Sequence, residues 1–174
     1  MSLPPMSRAF VKEGDGALDP LPDLPRSAHP NLVTPRALAA RQARLHALQA
    51  KLHALRARPD RLDRLPEAST ERDIRHAEAR LRNVIVIDPA AHDLAKAAFG
   101  LAVTVRMPDG NATTWTITGE DEADAARHRV APHSPLGRAL LGAGVGDEVV
   151  WQRPSGALTL IVTGIGHAHD NPPA

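Results

Sequence analysis

The sequence has no cysteine and no tyrosine, and its 174 residues include only two tryptophans and two phenylalanines. The missing thiols exclude disulfides, thiolate nucleophiles and thiolate zinc sites. Apolar residues make up 43% of the chain but aromatics only 2%, so Ala, Leu and Val carry most of the apolar count. That composition does not suit a large mixed core. It suits a compact β-rich domain with an Ala/Leu-rich helical arm, and the length allows a small domain plus an extension. No segment approaches the roughly 20 apolar residues that a membrane span needs. Pro4, Pro5, Pro20, Pro22, Pro25 and Pro30 interrupt any signal-peptide core, so no membrane partner and a cytoplasmic location are expected.

Charge is segregated along the chain, although the formal net charge is only +1. From Pro35 to Arg82 there are 12 basic residues against 6 acidic ones, which leaves 9 basic and 14 acidic elsewhere. A positive arm on a mildly acidic body suits a partner rich in carboxylates or phosphates.

Residues 1–33 are proline-rich with little periodicity, and an extended, disordered tail is expected. At Thr34-Pro35 a capping residue and a first-turn proline open a stretch free of Gly and Pro until Pro59. Leu38, Leu45, Leu48, Leu52 and Leu55 recur at three-four spacing, with Arg41 as the exception at the first d position. The same stretch carries Arg41, Arg44, Lys51, Arg56 and Arg58 as a basic arm without an acidic residue. After the break from Pro59 to Pro66, Ser69 or Thr70 is expected to cap a second helix, with Asp73 near its third position. Ile74, Ala77, Leu81 and Val84 then continue an apolar stripe. Two singly striped helices with a short connection predict an antiparallel coiled-coil hairpin over residues 34–87.

From Phe99 the period changes to two. Leu101, Val103, Val105 and Met107 alternate with smaller or polar residues, Asp109-Gly110 signals a hairpin turn, and Trp115 and Ile117 lie on the return strand. Later strands are expected over 148–152 and 158–164. The expected class is α+β: a helical hairpin followed over 88–166 by an antiparallel sheet domain with one short helix, then a flexible tail at 167–174.

Between the strands, residues 119–146 read GEDEADAARHRVAPHSPLGRALLGAGVG. Ser134 suits an N-cap, Pro135 the first helical position and Gly142 the residue that ends the helix. The order of hairpin, acidic GEDEAD turn, SPLGRALLG, VGDEV and final strand, from about Val103 to Ile165, resembles the C-terminal domain of the bacterial GreA/GreB transcript cleavage factors. Thr34-Pro35-Arg36-Ala37-Leu38 is similar to that family's first-helix opening, and Val84-Ile85-Val86-Ile87-Asp88 to its passage into the second domain. The resemblance implies an FKBP-like C-terminal domain that docks at the rim of the RNA polymerase secondary channel while the hairpin enters it. It implies that Ser134, Pro135 and Arg138 meet the polymerase. It further implies that a metal ion, Mg2+, would be shared with the polymerase active site, held with the help of two acidic residues at the hairpin tip. The factor itself would be no enzyme and would need no cofactor of its own.

The chain departs from the family at the tip. The hairpin is shorter, and the acidic-Asn-acidic pattern written DLSENAEY in the family has no counterpart. Asp60, Asp63 and Glu67 lie near the bend, but Arg58, Arg61 and Arg64 alternate with the aspartates and would offset their charge. Gly137 also stands where the family's SPxARAL segment has a side chain, which predicts a weakened helix.

Enzyme readings fit poorly. Ser134 before a proline reads as a cap, His167-Ala168-His169-Asp170 falls in a chain terminus, and Gly142, Gly144 and Gly146 lack the helix and lysine of a phosphate loop. Prolyl isomerase activity would need an aromatic-lined pocket, for which the domain offers only Phe99, Trp115 and Trp151. The expected function is that of a monomeric regulator of transcription elongation, binding RNA polymerase with weak or no stimulation of cleavage. A second reading is a basic hairpin that binds nucleic acid, DNA included, directly. A third resembles the short-hairpin relatives described as nucleoside diphosphate kinase regulators, which bind polymerase without inducing cleavage.

Overall fold

The computed structural model describes residues 20–59 and 63–168. Helix α1 spans Pro35–Arg56. Thr34 caps it as the sequence predicts, its hydroxyl accepting from the Ala37 amide at 3.1 Å, with Pro35 in the first turn. The leucine stripe faces the second helix: Leu55 is buried, and Leu38, Leu45, Leu48 and Leu52 are half-buried.

Helix α2 spans Leu65–Arg82 and begins earlier than Ser69 or Thr70. Pro66 fits the first turn, and the two hydroxyls instead donate back to the Pro66 carbonyl, at 3.1 Å from Ser69 and 2.7 Å from Thr70. Arg64 stands at the N-cap without a side-chain cap bond, and just before it the Asp63 carboxylate accepts from the Leu65 amide at 3.0 Å. The helices pack as the expected antiparallel pair, and Arg56 Nη2 reaches Glu71 Oε1 across them at 2.7 Å.

The tail expected through residue 33 gives way to structure sooner. Arg75 on α2 holds the Asp23 carboxylate at 2.9 Å and the Leu21 carbonyl at 2.7 Å. Strand β1, Asn31–Val33, then pairs in parallel with β2, Val84–Val86, at the root of the hairpin. Val33 is fully buried there and Asn31 nearly so. Proline bars helix in this segment, but it does not bar an extended strand that finds a partner about 50 residues away.

The second unit is a curled sheet. Its strands are β3 (Leu101–Arg106), β4 (Ala112–Ile117), β5 (Arg129–Val130), β6 (Glu148–Arg153) and β7 (Gly156–His167). The order is β5-β4-β3-β7-β6, antiparallel except for the β4–β5 pair. Curling is strong enough that Trp115 on β4 and Trp151 on β6 meet edge to face at 6.0 Å, although two strands lie between them. A register shift between Thr104 and Val105 contributes to the bend. Helix α3, Pro135–Leu140, closes the concave side, with Leu136 and Leu140 packed among Val103, Val105, Val149, Leu160 and Val162. This core includes no residue of α1 or α2. Among the described residues no helix is long and apolar enough to cross a membrane.

Candidate functional site

Three sequence-predicted residues come together at the start of α3. Ser134 Oγ accepts from the Gly137 amide at 3.1 Å and donates to the Ala131 carbonyl at 2.8 Å, so it joins the helix to the segment that leads into it. Gly137 is not a weak point: a Cβ there would overlap the Ala131 carbonyl oxygen. The expectation of a weakened helix is corrected on that ground, because the close approach needs a residue without a side chain. Pro135 and Arg138 are exposed, and Arg138 has no charged partner among the described residues. Leu141 and Val145, just beyond α3, are exposed large apolar residues. Leu94 is exposed too, on a segment held beside them by the Ala97 amide to Ala143 carbonyl and Gly142 amide to Ala97 carbonyl bonds, both 2.8 Å. The face therefore offers a cation among apolar side chains.

At the hairpin tip, Asp60 lies outside the described residues. Asp63 is exposed and accepts from the Leu65 amide through Oδ1 alone, and Glu67 is 7% exposed and has an interaction partner. The two do not present a pair of free carboxylates. Among the described residues, no group of three or more His, Asp and Glu side chains is placed to hold a metal ion.

The basic arm divides. Arg44 and Lys51 are exposed seven residues apart on α1, and Arg58 is exposed just beyond its end; none has a charged partner among the described residues. Arg56 is engaged with Glu71. Arg41 is not on the open arm at all. Its side chain is 13% exposed and lies at the hairpin root, 3.1 Å from Asp121 in an ion pair that is off the hydrogen-bond direction.

That root contact is the feature that reading the sequence missed. Arg80, on α2, forks onto Asp121 through Nε at 3.2 Å and Nη2 at 2.9 Å. Glu120 stands 3.8 Å from the same Nη2. Asn31 joins the two helices, accepting from Arg41 Nη1 at 2.9 Å and donating to the Arg80 carbonyl at 2.6 Å. Burial pulls the Arg41 pKa below the usual arginine value; Asp121 and Glu122 oppose that shift, and neighbouring Arg80 adds to it. The acidic turn thus neutralises two adjacent arginines. The signal was present as Arg41 interrupting a leucine stripe, beside an acidic run without an assigned role.

Residues 92–167 match the family profile described as "Transcription elongation factor, GreA/GreB, C-term". Over these residues, less than half of the chain, the protein is similar to GreA/GreB C-terminal domains. Among curated relatives named transcription elongation factor GreA, the protein of Halorhodospira halophila is 44% identical over 88 residues, covering 49% of this chain and 56% of that protein. The one from Geobacillus kaustophilus is 33% identical over 100 residues, covering 57% and 63%. The chain thus spans about three-fifths of the length of the curated relatives it matches. A crystal structure of GreA factor homolog 1 from Thermus thermophilus is 21% identical, with 79% of this chain and 99% of that one covered and a TM-score of 0.37. A GreA/GreB factor from Nitrosomonas europaea gives 20%, 80%, 99% and 0.40. Scores of that size are too low to equate individual residues.

The matched residues contain the α3 face and the acidic turn, whereas the tip and the basic stripe lie outside them. The Arg41–Asp121 and Arg80–Asp121 contacts therefore join the matched segment to the part of the chain that precedes it.

Proposed function

We propose that the chain is a transcription elongation regulator that binds RNA polymerase at the secondary channel through the start of α3, and that it stimulates transcript cleavage weakly or not at all. The observation that carries the docking half is the pairing of a segment similar to GreA/GreB C-terminal domains with exposed Pro135 and Arg138 on a helix whose Ser134 cap is internally satisfied. Such an arrangement spends its exposed groups on a partner. The second half rests on the tip: Glu67 is buried, and exposed Asp63 has one carboxylate oxygen engaged by the Leu65 amide, so the two do not form a free pair. Carrying a divalent ion would need carboxylate oxygens free to approach it within about 2.0–2.6 Å. In this reading Mg2+ stays with the polymerase, and the protein acts by occupying the channel as a monomeric accessory factor.

The experiment uses stalled, backtracked elongation complexes at saturating protein, scoring both binding and cleavage. Binding with cleavage near the factor-free level is expected. Strong cleavage abolished by combined Asp60→Ala and Asp63→Ala would overturn the second half, and no binding would overturn the first. A polymerase binder that leaves cleavage alone would also fit the nucleoside diphosphate kinase regulator-like reading. One observation favours direct contact with nucleic acid as a second reading: the exposed, unpaired cations Arg44 and Lys51 on α1 and Arg58 just beyond it, which suit phosphates.

A further inference from the structure

The main buried cluster includes no residue from either helix; at the hairpin root only Leu32 of β1 and Ile87 pack against it. The helices themselves are tied to the sheet domain through a compact set of charged and amide groups from four separate segments. Asn31 comes from β1, Arg41 from α1, Arg80 from α2 and Asp121 from the acidic turn.

We propose that Asp121 is the latch, and residues 20–33 the strap, that set the direction in which the helical hairpin points from the sheet domain. Each part of the arrangement has a distinct task. Asp121 accepts the forked pair of bonds from Arg80 and faces Arg41, so a single carboxylate holds both helices at their root. Arg41 and Arg80 repel one another and stay adjacent because this carboxylate, with Glu120 behind it, compensates them. The arginine side chains are 13% and 10% exposed and Asp121 41%, so the contact is shielded on the arginine side and open to solvent on the carboxylate side. Asn31 fills the space between the arginines and bonds to both helices.

The strap is fastened along its length. Asp23 and Leu21 bind Arg75 on α2. His29 stacks on His133 of the sheet domain with ring centres 4.1 Å apart, next to the Ser134 cap. Between them the Leu32 carbonyl oxygen lies only 2.6 Å from where a Cβ on Gly119 would stand, so the strap rests on the backbone that leads into the acidic turn. The segment thus touches α2, the acidic turn and the approach to α3. The leverage is large. A 22-residue helix is about 33 Å long, and a 10° rotation at its root moves the far end by roughly 6 Å.

The absence of cysteine allows the test in the full chain, with spin labels attached at Ala50→Cys on α1 and Ala112→Cys on β4, both exposed positions. Pulsed dipolar spectroscopy then reads the distance between hairpin and domain without any polymerase, so the outcome is independent of the proposed function. One narrow distance is expected in the parent. In Asp121→Asn and in Asn31→Ala a shifted or broadened distribution is expected, with changes of about 4 Å or more at Ala50, roughly 22 Å from the helix root, while Trp115 and Trp151 fluorescence stays native. Arg56→Gln, which removes an ion pair within the hairpin only, should leave the distance as in the parent. Narrow, unshifted distances in both Asp121→Asn and Asn31→Ala would overturn the proposal. So would loss of native tryptophan fluorescence in both, because the network would then hold up the domain and not its angle to the hairpin.

Discussion

The Ala131 carbonyl oxygen fills the space that a side chain on residue 137 would occupy, so α3 lies directly on the backbone that leads into it. In an exposed helix, replacing glycine by alanine gains about 1 kcal/mol. Here the contact is with backbone, which yields little, and the sign reverses. Gly137→Ala is expected to destabilise the domain by about 1–3 kcal/mol, in the range of overpacking. Urea unfolding followed by tryptophan fluorescence measures it, and a more stable variant would show that α3 can lift without loss.

Two neighbours on the same helix should separate folding from docking. Ser134→Ala removes both the bond to the Gly137 amide and the one to Ala131, and it should cost about 1 kcal/mol of stability. Arg138→Glu touches no charged partner among the described residues and should leave the unfolding midpoint within about 0.5 kcal/mol of the parent. Its effect should fall on polymerase binding instead. An Arg138→Glu variant with parent affinity and parent stability would remove α3 from the interface.

How much of this could be read in advance follows from the range of the interactions. The Thr34 and Ser134 caps are local, satisfied within three residues, and both are found as expected. The leucine stripe and the alternating strands are periodic, and they too are where the pattern puts them. Ser69 and Thr70 misled because a hydroxyl that caps a helix can equally bond back inside one, and Pro66 decided between the two. Strand β1 was hidden because its three residues are a strand only through β2, about 50 residues on. Asp121 belongs with Arg41 and Arg80 for the same reason. No local rule connects residues 80 and 41 positions apart, so a helix-stripe exception and an acidic turn stayed separate observations.

Gly119 gives a direct check on the strap. An added methyl would stand 2.6 Å from the Leu32 carbonyl oxygen and 3.4 Å from Arg41 Nη2, so Gly119→Ala should push β1 away and loosen the pairing with β2. The φ of −58° at this residue is open to any amino acid, which makes the effect one of space alone. Faster amide hydrogen exchange at Ile87, whose N–H bonds to the Val33 carbonyl, is the expected readout, with protection within β3 and β7 unchanged. Unchanged exchange at Ile87 would mean that the strap accommodates the methyl in place.

The basic stripe makes a quantitative prediction about salt. Arg44 and Lys51 stand roughly 10 Å apart along α1, and Arg58 lies just beyond its end, all without a charged partner among the described residues. If these side chains sit on phosphates, each releases about 0.7 of a counterion from a single strand. Replacing all three by glutamine should then flatten the plot of log affinity against log salt by about 2 units and weaken binding to different sequences alike. Arg56→Gln, removed from the count by its ion pair with Glu71, should change that slope little. Fluorescence anisotropy with labelled single-stranded RNA over a salt series measures both quantities. A slope that is the same in the triple variant and the parent would show that the stripe is a solvated helix face and leave polymerase docking as the sole function of the chain.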